Sequence, residues 1–237
     1  MAVQSQPLTW PLTGLLTGAV RPLGARGAPS GIAKSRLQDA VALTTLGLAG
    51  DAQGDTKRHG GPEKALHHYP LDHYAFWTDA IGDRDVLQGP GAFGENLSTL
   101  GLTEADVAIG DVFALGSAVI EVSQGRQPCW KLNDRFANPA MARLVQTTGR
   151  TGWYYRVLQE GMVSPDDSLR RLDRPAPEWT LHRIWRLFYF DPLNRDELAA
   201  LAALPRLAES WRQHARKRLD TNRIEDWTLR LTGSDPA

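Results

Sequence analysis

The chain of 237 residues carries 27 basic and 27 acidic side chains, so its formal net charge is zero and nothing global points to nucleic acid or an anionic membrane. Its single cysteine excludes an internal disulfide framework and fits a reducing compartment, and no apolar run approaches the length that spans a bilayer. With no signal-peptide pattern over residues 1–7, the expectation is a soluble cytoplasmic protein: one large domain, or a domain with an appendage.

In chain order, Leu15, Leu16 and Val20 read as a first short strand between Gly14 and Pro22. Residues 24–31 are rich in Gly and Pro and read as a loop, followed by Lys34 after a run of small residues. Residues 40–43 and 45–48 read as strands separated by a turn. Residues 50–70 read as a long irregular stretch dense in Asp, Arg, Lys and His, with His59, His67 and His68 inside it and His73 beside it. Gly60-Gly61 at its centre permits a close backbone approach to a ligand. Pro70 suits the first turn of a helix running to Ile81, with Gly82 ending it. Residues 89–97 are a turn-rich approach to a short strand, and place Glu95 and Asn96 at a glycine-opened turn.

Residues 112–115 and 119–122 read as two strands turning at Gly116-Ser117. Just beyond comes Ser123-Gln124-Gly125-Arg126-Gln127-Pro128-Cys129-Trp130-Lys131-Leu132-Asn133. It places the one cysteine on a loop after a strand end, flanked by Arg126 and Lys131, whose charge favours a thiolate. Asn138-Pro139 reads as the start of a helix lined by Met141, Leu144, Val145 and Thr148 and closed by Gly149. Residues 152–158 read as a strand, Glu160-Gly161 turns the chain, and residues 162–163 and 169–172 give further pairing segments. Pro175-Ala176-Pro177 reads as a linker. Three short helices follow over 180–190, 195–204 and 206–219, so the expected division is a β-rich domain over 1–177 and a three-helix domain over 178–237.

The histidines have poor spacing for zinc, because His67 and His68 are adjacent and His73 lies five beyond. No local signature of a cysteine hydrolase is present. Arg216-Lys217-Arg218 sits among acidic residues and gives no basic face for DNA. A better fit to both unusual stretches is an anionic, phosphate-bearing cofactor carrying a soft metal that takes one protein thiolate, though composition only allows this arrangement.

The cysteine segment, with Gln124, Arg126, Pro128, Cys129, Lys131 and Leu132 in that order, resembles the signature of MOSC-domain proteins, and more narrowly their YiiM-like branch. Gly50-Asp51, Gln53, Asp55 and His59-Gly60-Gly61-Pro62 with Lys64-Ala65 are similar to the same branch. So are residues 93–97, Thr148-Gly149 with Gly152-Trp153, and Ile32 with Lys34. The resemblance implies a mainly β fold with α, a β-barrel-like MOSC domain followed by a small three-helix appendage. It also implies a molybdenum cofactor (molybdopterin) with Cys129 as a direct metal ligand. The implied activity is detoxifying reduction of N-hydroxylated bases such as 6-hydroxylaminopurine, with electrons from a separate flavoprotein reductase. A carrier or sulfur-relay protein for that cofactor is the alternative, and pyridoxal phosphate is a further ligand the resemblance admits. Within this reading Cys129, His59 and Glu95 are the catalytic candidates. Lys34, Arg58, His59, Gly60, Asn96, Arg126 and Lys131 are the cofactor-binding candidates. A monomer or weak homodimer is expected, with neither nucleic acid nor membrane as a partner.

Overall fold

The structure, a computed structural model, describes residues 8–55 and 60–234, so the candidates Arg58 and His59 lie outside the described residues. Seven strands close into a barrel: β1 (Thr9–Thr17), β7 (Leu66–His68), β8 (Leu97–Thr99), β9 (Val112–Leu115), β10 (Ala118–Gly125), β11 (Trp153–Gln159) and β13 (Ser168–Asp173). Their order is β13-β9-β10-β11-β7-β8-β1, and β1 pairs back with β13 to close the ring. The pairings are antiparallel except that of β7 with β8. Closure removes the exposed edges that an open sheet of short strands would leave. Alternation then fills the interior: Ile120 and Val122 of β10 and Trp153 and Tyr155 of β11 are fully buried.

Outside the ring, β4 (Ser35–Arg36) pairs with β1, and β5 (Val41–Thr44), β6 (Gly47–Leu48) and β12 (Gly161–Val163) form a small side sheet. The stretch expected as a loop over 24–31 is in part a hairpin, β2 (Arg21–Leu23) with β3 (Ala28–Ser30). Its turn takes Gly24 and Gly27 at positive φ, which is why glycines stand there. The irregular stretch expected over 50–70 likewise ends in structure. Its last part is a one-turn helix at Pro62–Lys64 and the barrel strand β7.

Two apolar clusters hold the chain. The larger fills the barrel and runs without a break into the C-terminal helices α4 (Leu181–Tyr189), α5 (Arg195–Ala202) and α6 (Glu209–Thr221), taking in Ile184, Phe188, Leu198 and Trp211. Thr180 caps α4 by accepting from the Arg183 amide, and Asn194 caps α5 by accepting from the Glu197 amide. Backbone bonds from Ile109 to Trp179, Leu181 to Val107 and Ala208 to Ser123 fasten these helices to the barrel. A further short helix that the pattern did not show, α7 (Thr228–Thr232), follows them. The second cluster packs α1 (His73–Ile81), α2 (Lys131–Arg135) and α3 (Met141–Thr148) around Phe93, which stacks on Tyr69 with centroids 3.8 Å apart. Helix α3 begins at Met141 rather than after Asn138, because Asn138 is spent on a turn in which its side chain accepts from the Ala140 amide. No helix among the described residues is long and apolar enough to cross a membrane.

Candidate functional site

A pocket opens at one end of the barrel where three things meet: the β2–β3 hairpin with the segment after it, the turn before β8, and the loop leaving β10. Lys34, Asn96, Arg126, Cys129 and Lys131 all line it. Asp51, Gln53, Lys64, His67 and Tyr154 complete much of its polar wall. Among the described residues, four of the lining side chains are cationic, Lys34, Lys64, Arg126 and Lys131, against the single carboxylate of Asp51. The wall therefore favours an anion.

Cys129 lies four positions beyond the end of β10, where regular pairing has stopped but the barrel still fixes the chain. The strand carries register shifts at Val119/Ile120 and Val122/Gln124, irregularities of the kind that bend a strand locally. Past the cysteine, Leu132 and Phe136 bury themselves in the second cluster and anchor the loop from behind. Cys129 as a residue is 9% exposed.

Asp51 organises the opposite wall. It accepts from Lys34 Nζ on both oxygens, at 2.6 Å on Oδ2, from Asn96 Nδ2 at 2.9 Å and from the Gly18 amide at 2.9 Å. Asn96 in turn accepts from the His67 amide at 3.1 Å and donates to Leu16 O at 3.1 Å, so its amide group ties β1 and β7 together beside the pocket. Burial lowers the Lys34 pKa below the ordinary lysine value, with Asp51 opposing the shift.

Arg126 is 6% exposed, yet its Nη1 has no hydrogen-bond partner among the described residues. A buried guanidinium nitrogen left this way is costly unless something supplies an acceptor. His67, also buried, has an unpartnered Nε2, and burial together with the Arg126 charge holds its pKa well below the usual histidine value. Tyr154 stands between these groups. Its ring lies 5.1 Å from that of His67, and burial raises its pKa while the Arg126 charge pulls the other way.

Two candidates are placed elsewhere. Glu95 is fully buried behind the pocket wall, where its carboxylate accepts from the Gly91 amide at 2.6 Å, the Phe93 amide at 3.0 Å and Tyr74 Oη at 2.5 Å. With its oxygens taken up in this way, Glu95 shapes the glycine turn and is not presented to a ligand. Gly60 is not among the pocket residues and adjoins the undescribed segment. His68 is structural: Tyr155 Oη and Thr99 Oγ1 lie 3.1 and 3.0 Å from its ring nitrogens, and burial lowers its pKa to about 3. His73 is bonded to Glu104 at 2.6 Å. Sequence reasoning missed Tyr154 and Lys64 as wall residues. Strand alternation carried a signal for the first, because Tyr154 must face away from the buried Trp153 and Tyr155. Among the described residues no three His, Cys, Asp or Glu side chains gather to hold a metal ion.

The MOSC domain profile matches residues 55–170, and a profile described as a YiiM-like 3-alpha helix domain matches residues 179–222. Protein YiiM of Escherichia coli is 42% identical over 207 residues, which is 87% of this chain and 92% of that protein. The chain belongs to the MOSC-domain family, in its YiiM-like branch. The crystal structure of Escherichia coli YiiM superposes with a TM-score of 0.80 at 36% identity, over 95% of this chain and 99% of that one. A Gibberella moniliformis protein named Reductase is 37% identical over 177 residues, 74% of this chain but 31% of that longer protein. These likenesses give pyridoxal phosphate no support. The pocket residues between 30 and 54, Lys34 and Asp51 among them, precede the segment that the MOSC model matches.

Proposed function

We propose that this YiiM-like protein is an oxidoreductase that binds the molybdenum cofactor and reduces N-hydroxylated compounds such as 6-hydroxylaminopurine to their amines, with electrons from a flavoprotein reductase. One observation carries the reading: the chain's one cysteine lines a cationic pocket together with a buried guanidinium whose Nη1 has no hydrogen-bond partner among the described residues. The donor set fits the group. A thiolate suits a soft metal site, and Arg126, Lys64 and Lys131 suit a phosphate and the oxygens of a pterin. When bound, the cofactor would supply the two-electron chemistry that breaks the N–O bond.

The chain supplies the rest. Cys129 would hold the metal, and Arg126 Nη1 would donate to an anionic oxygen of the cofactor. Asp51 fixes Lys34 and Asn96 in place on the facing wall, so little side-chain freedom is lost when a ligand enters. The overall change consumes two electrons and two protons and yields one amine and one water. Lys34 and Lys64 would deliver the protons, since both line the pocket and burial lowers both pKa values, which makes each ammonium a stronger acid than a free lysine. His67, held neutral, leaves the cationic work to its neighbours.

The test compares wild type with Cys129→Ala, both purified without oxygen from a host that makes the cofactor. The expected result is near-stoichiometric molybdenum and pterin in wild type, loss of the metal in the variant, and turnover of 6-hydroxylaminopurine with a chemical reductant by wild type alone. Turnover by Cys129→Ala at the wild-type rate would sink the proposal. Cofactor bound without turnover would leave the carrier reading instead.

A further inference from the structure

The chain beyond residue 222 lies outside both matched family regions, yet it is bonded to either side of the cysteine. The carbonyl of Arg230, in α7, accepts from the Trp130 amide at 2.8 Å, and its Nη1 donates to Pro128 O at 2.5 Å. Pro128 and Trp130 are the immediate neighbours of Cys129, so one residue grips the backbone on both sides of the thiol. The other arm of the Arg230 guanidinium donates to Gln146 Oε1 at 2.6 Å, which keys it to α3. Asn133 Nδ2 adds a bond to Leu231 O at 2.8 Å, and the Leu231 side chain is buried.

The outer side of α7 is tied down as well. Arg26, in the turn of the β2–β3 hairpin, donates to Gly233 O at 2.8 Å and Thr232 O at 3.3 Å, with its guanidinium 5.0 Å from the centre of the Trp130 ring. Gly233 has φ +71°, and a Cβ there would come within 2.7 Å of Trp130 ring atoms. A side chain at 233 would therefore lever α7 away from the cysteine loop.

Residues 126–129 belong to no helix or strand, and Pro128 has no amide to donate. Irregular segments of this kind open most readily unless tied. A metal ligand must be held to within about half an ångström by its supporting shell. We propose that the C-terminal strap over 223–234, centred on Arg230, is a positioning element that fixes the Cys129 thiol in the pocket wall. The positioning stands whatever Cys129 binds. Its consequence, that the strap governs retention of the metal, rests on the molybdenum reading above.

The only cysteine in the chain makes its own reporter. Full-length protein prepared without cofactor would be treated with excess iodoacetamide and the modification of Cys129 followed by intact mass, alongside each variant's melting temperature. Arg230→Ala and Gly233→Ala are expected to react at least about tenfold faster than wild type. Arg230→Lys, which can reach Pro128 O or Gln146 but not both, is expected to fall between. Leu198→Ala, a cavity in α5 away from the loop, should lower the melting temperature and leave the rate alone. Arg230→Ala reacting at the wild-type rate would overturn the proposal, as would Leu198→Ala accelerating the reaction as much. If Arg230→Ala does not fold, Arg230→Lys and Gly233→Ala decide by the same comparison. Metal retention measured on the same variants from a cofactor-making host separates the two proposals. Fast thiols that keep their molybdenum would remove only the consequence for the metal, and a wild type without molybdenum would remove the cofactor reading while the thiol rates still stand.

Discussion

Arg218 in the helical unit and Arg126 beside the pocket are both withdrawn from water, at 1% and 6% exposed. Arg218 is satisfied on every side. Its Nε and Nη2 reach the two oxygens of Glu225 at 3.0 and 2.7 Å, its Nη1 donates to Phe188 O and Pro192 O, and the guanidinium lies over the Phe188 ring. Among the described residues Arg126 makes no ion pair with a carboxylate, and its Nη1 has no acceptor. The same side chain at nearly the same depth is thus bonded throughout in one place and keeps an unmet donor among the described residues in the other. Burial alone does not tell the two apart; the list of acceptors does.

Replacing each arginine should therefore change stability in opposite directions. Arg218→Ala removes the partner of Glu225 and the donor to the carbonyls of Phe188 at a helix end and Pro192 in the turn after it, so it should cost about 3 kcal/mol in urea unfolding. The cost lies at the lower end for breaking a buried pair because the Glu225 side chain is 19% exposed. A loss below about 0.5 kcal/mol, the scale of an exposed ion pair, would show that the pair is not a structural one.

The same pair gives a smaller, pH-dependent effect. Burial alone would raise the Glu225 pKa, but the hydrogen bonds and charge of Arg218 outweigh it and hold it at about 2, below its usual 4.5. A carboxyl depressed in the folded state stabilises fully above its unfolded pKa, and that contribution is lost as pH falls toward the folded one. Wild type should therefore lose stability between about pH 4.5 and pH 2 through this group, and Arg218→Ala should lose less over that window. Parallel acid-limb curves for the two proteins would remove Glu225 from the account.

The contrast between the two arginines also marks how far the sequence could be read. Strand pattern and turn glycines disclosed the β-rich body, the loop position of Cys129 and three of the C-terminal helices, because each of these is a local signal. Strand β7 stayed hidden, since His67-His68 reads as polar and their burial depends on Tyr155 and Thr99 from distant parts of the chain. Glu95 is a catalytic candidate only through the family resemblance, since its glycine setting alone suits a plain turn equally well, and the three-dimensional turn shows its oxygens already in use. Helix α7 has five residues and no amphipathic repeat long enough to detect. Its partners at Pro128 and Trp130 lie about a hundred positions away, beyond the reach of any local pattern.

Arg126→Met is the change with the smallest effect on folding and the sharpest meaning. Methionine keeps much of the length and apolar surface of the side chain, so the packing between β10 and the pocket should survive. What disappears is a desolvated charge with an unmet donor, and its removal should leave the ligand-free protein as stable as wild type or firmer by up to about 1 kcal/mol. The opposite should hold for ligand binding. An anion that binds only the folded state raises stability in proportion to the logarithm of its concentration over Kd, by about 2.7 kcal/mol at a hundredfold excess. Inorganic phosphate, as the simplest probe, should therefore raise the melting temperature of wild type and do so much less for Arg126→Met. If Arg126→Met instead destabilised the ligand-free protein by as much as Arg218→Ala does, Arg126 would belong with the structural arginine, and the pocket would lose the feature that argues most directly for an anionic cofactor.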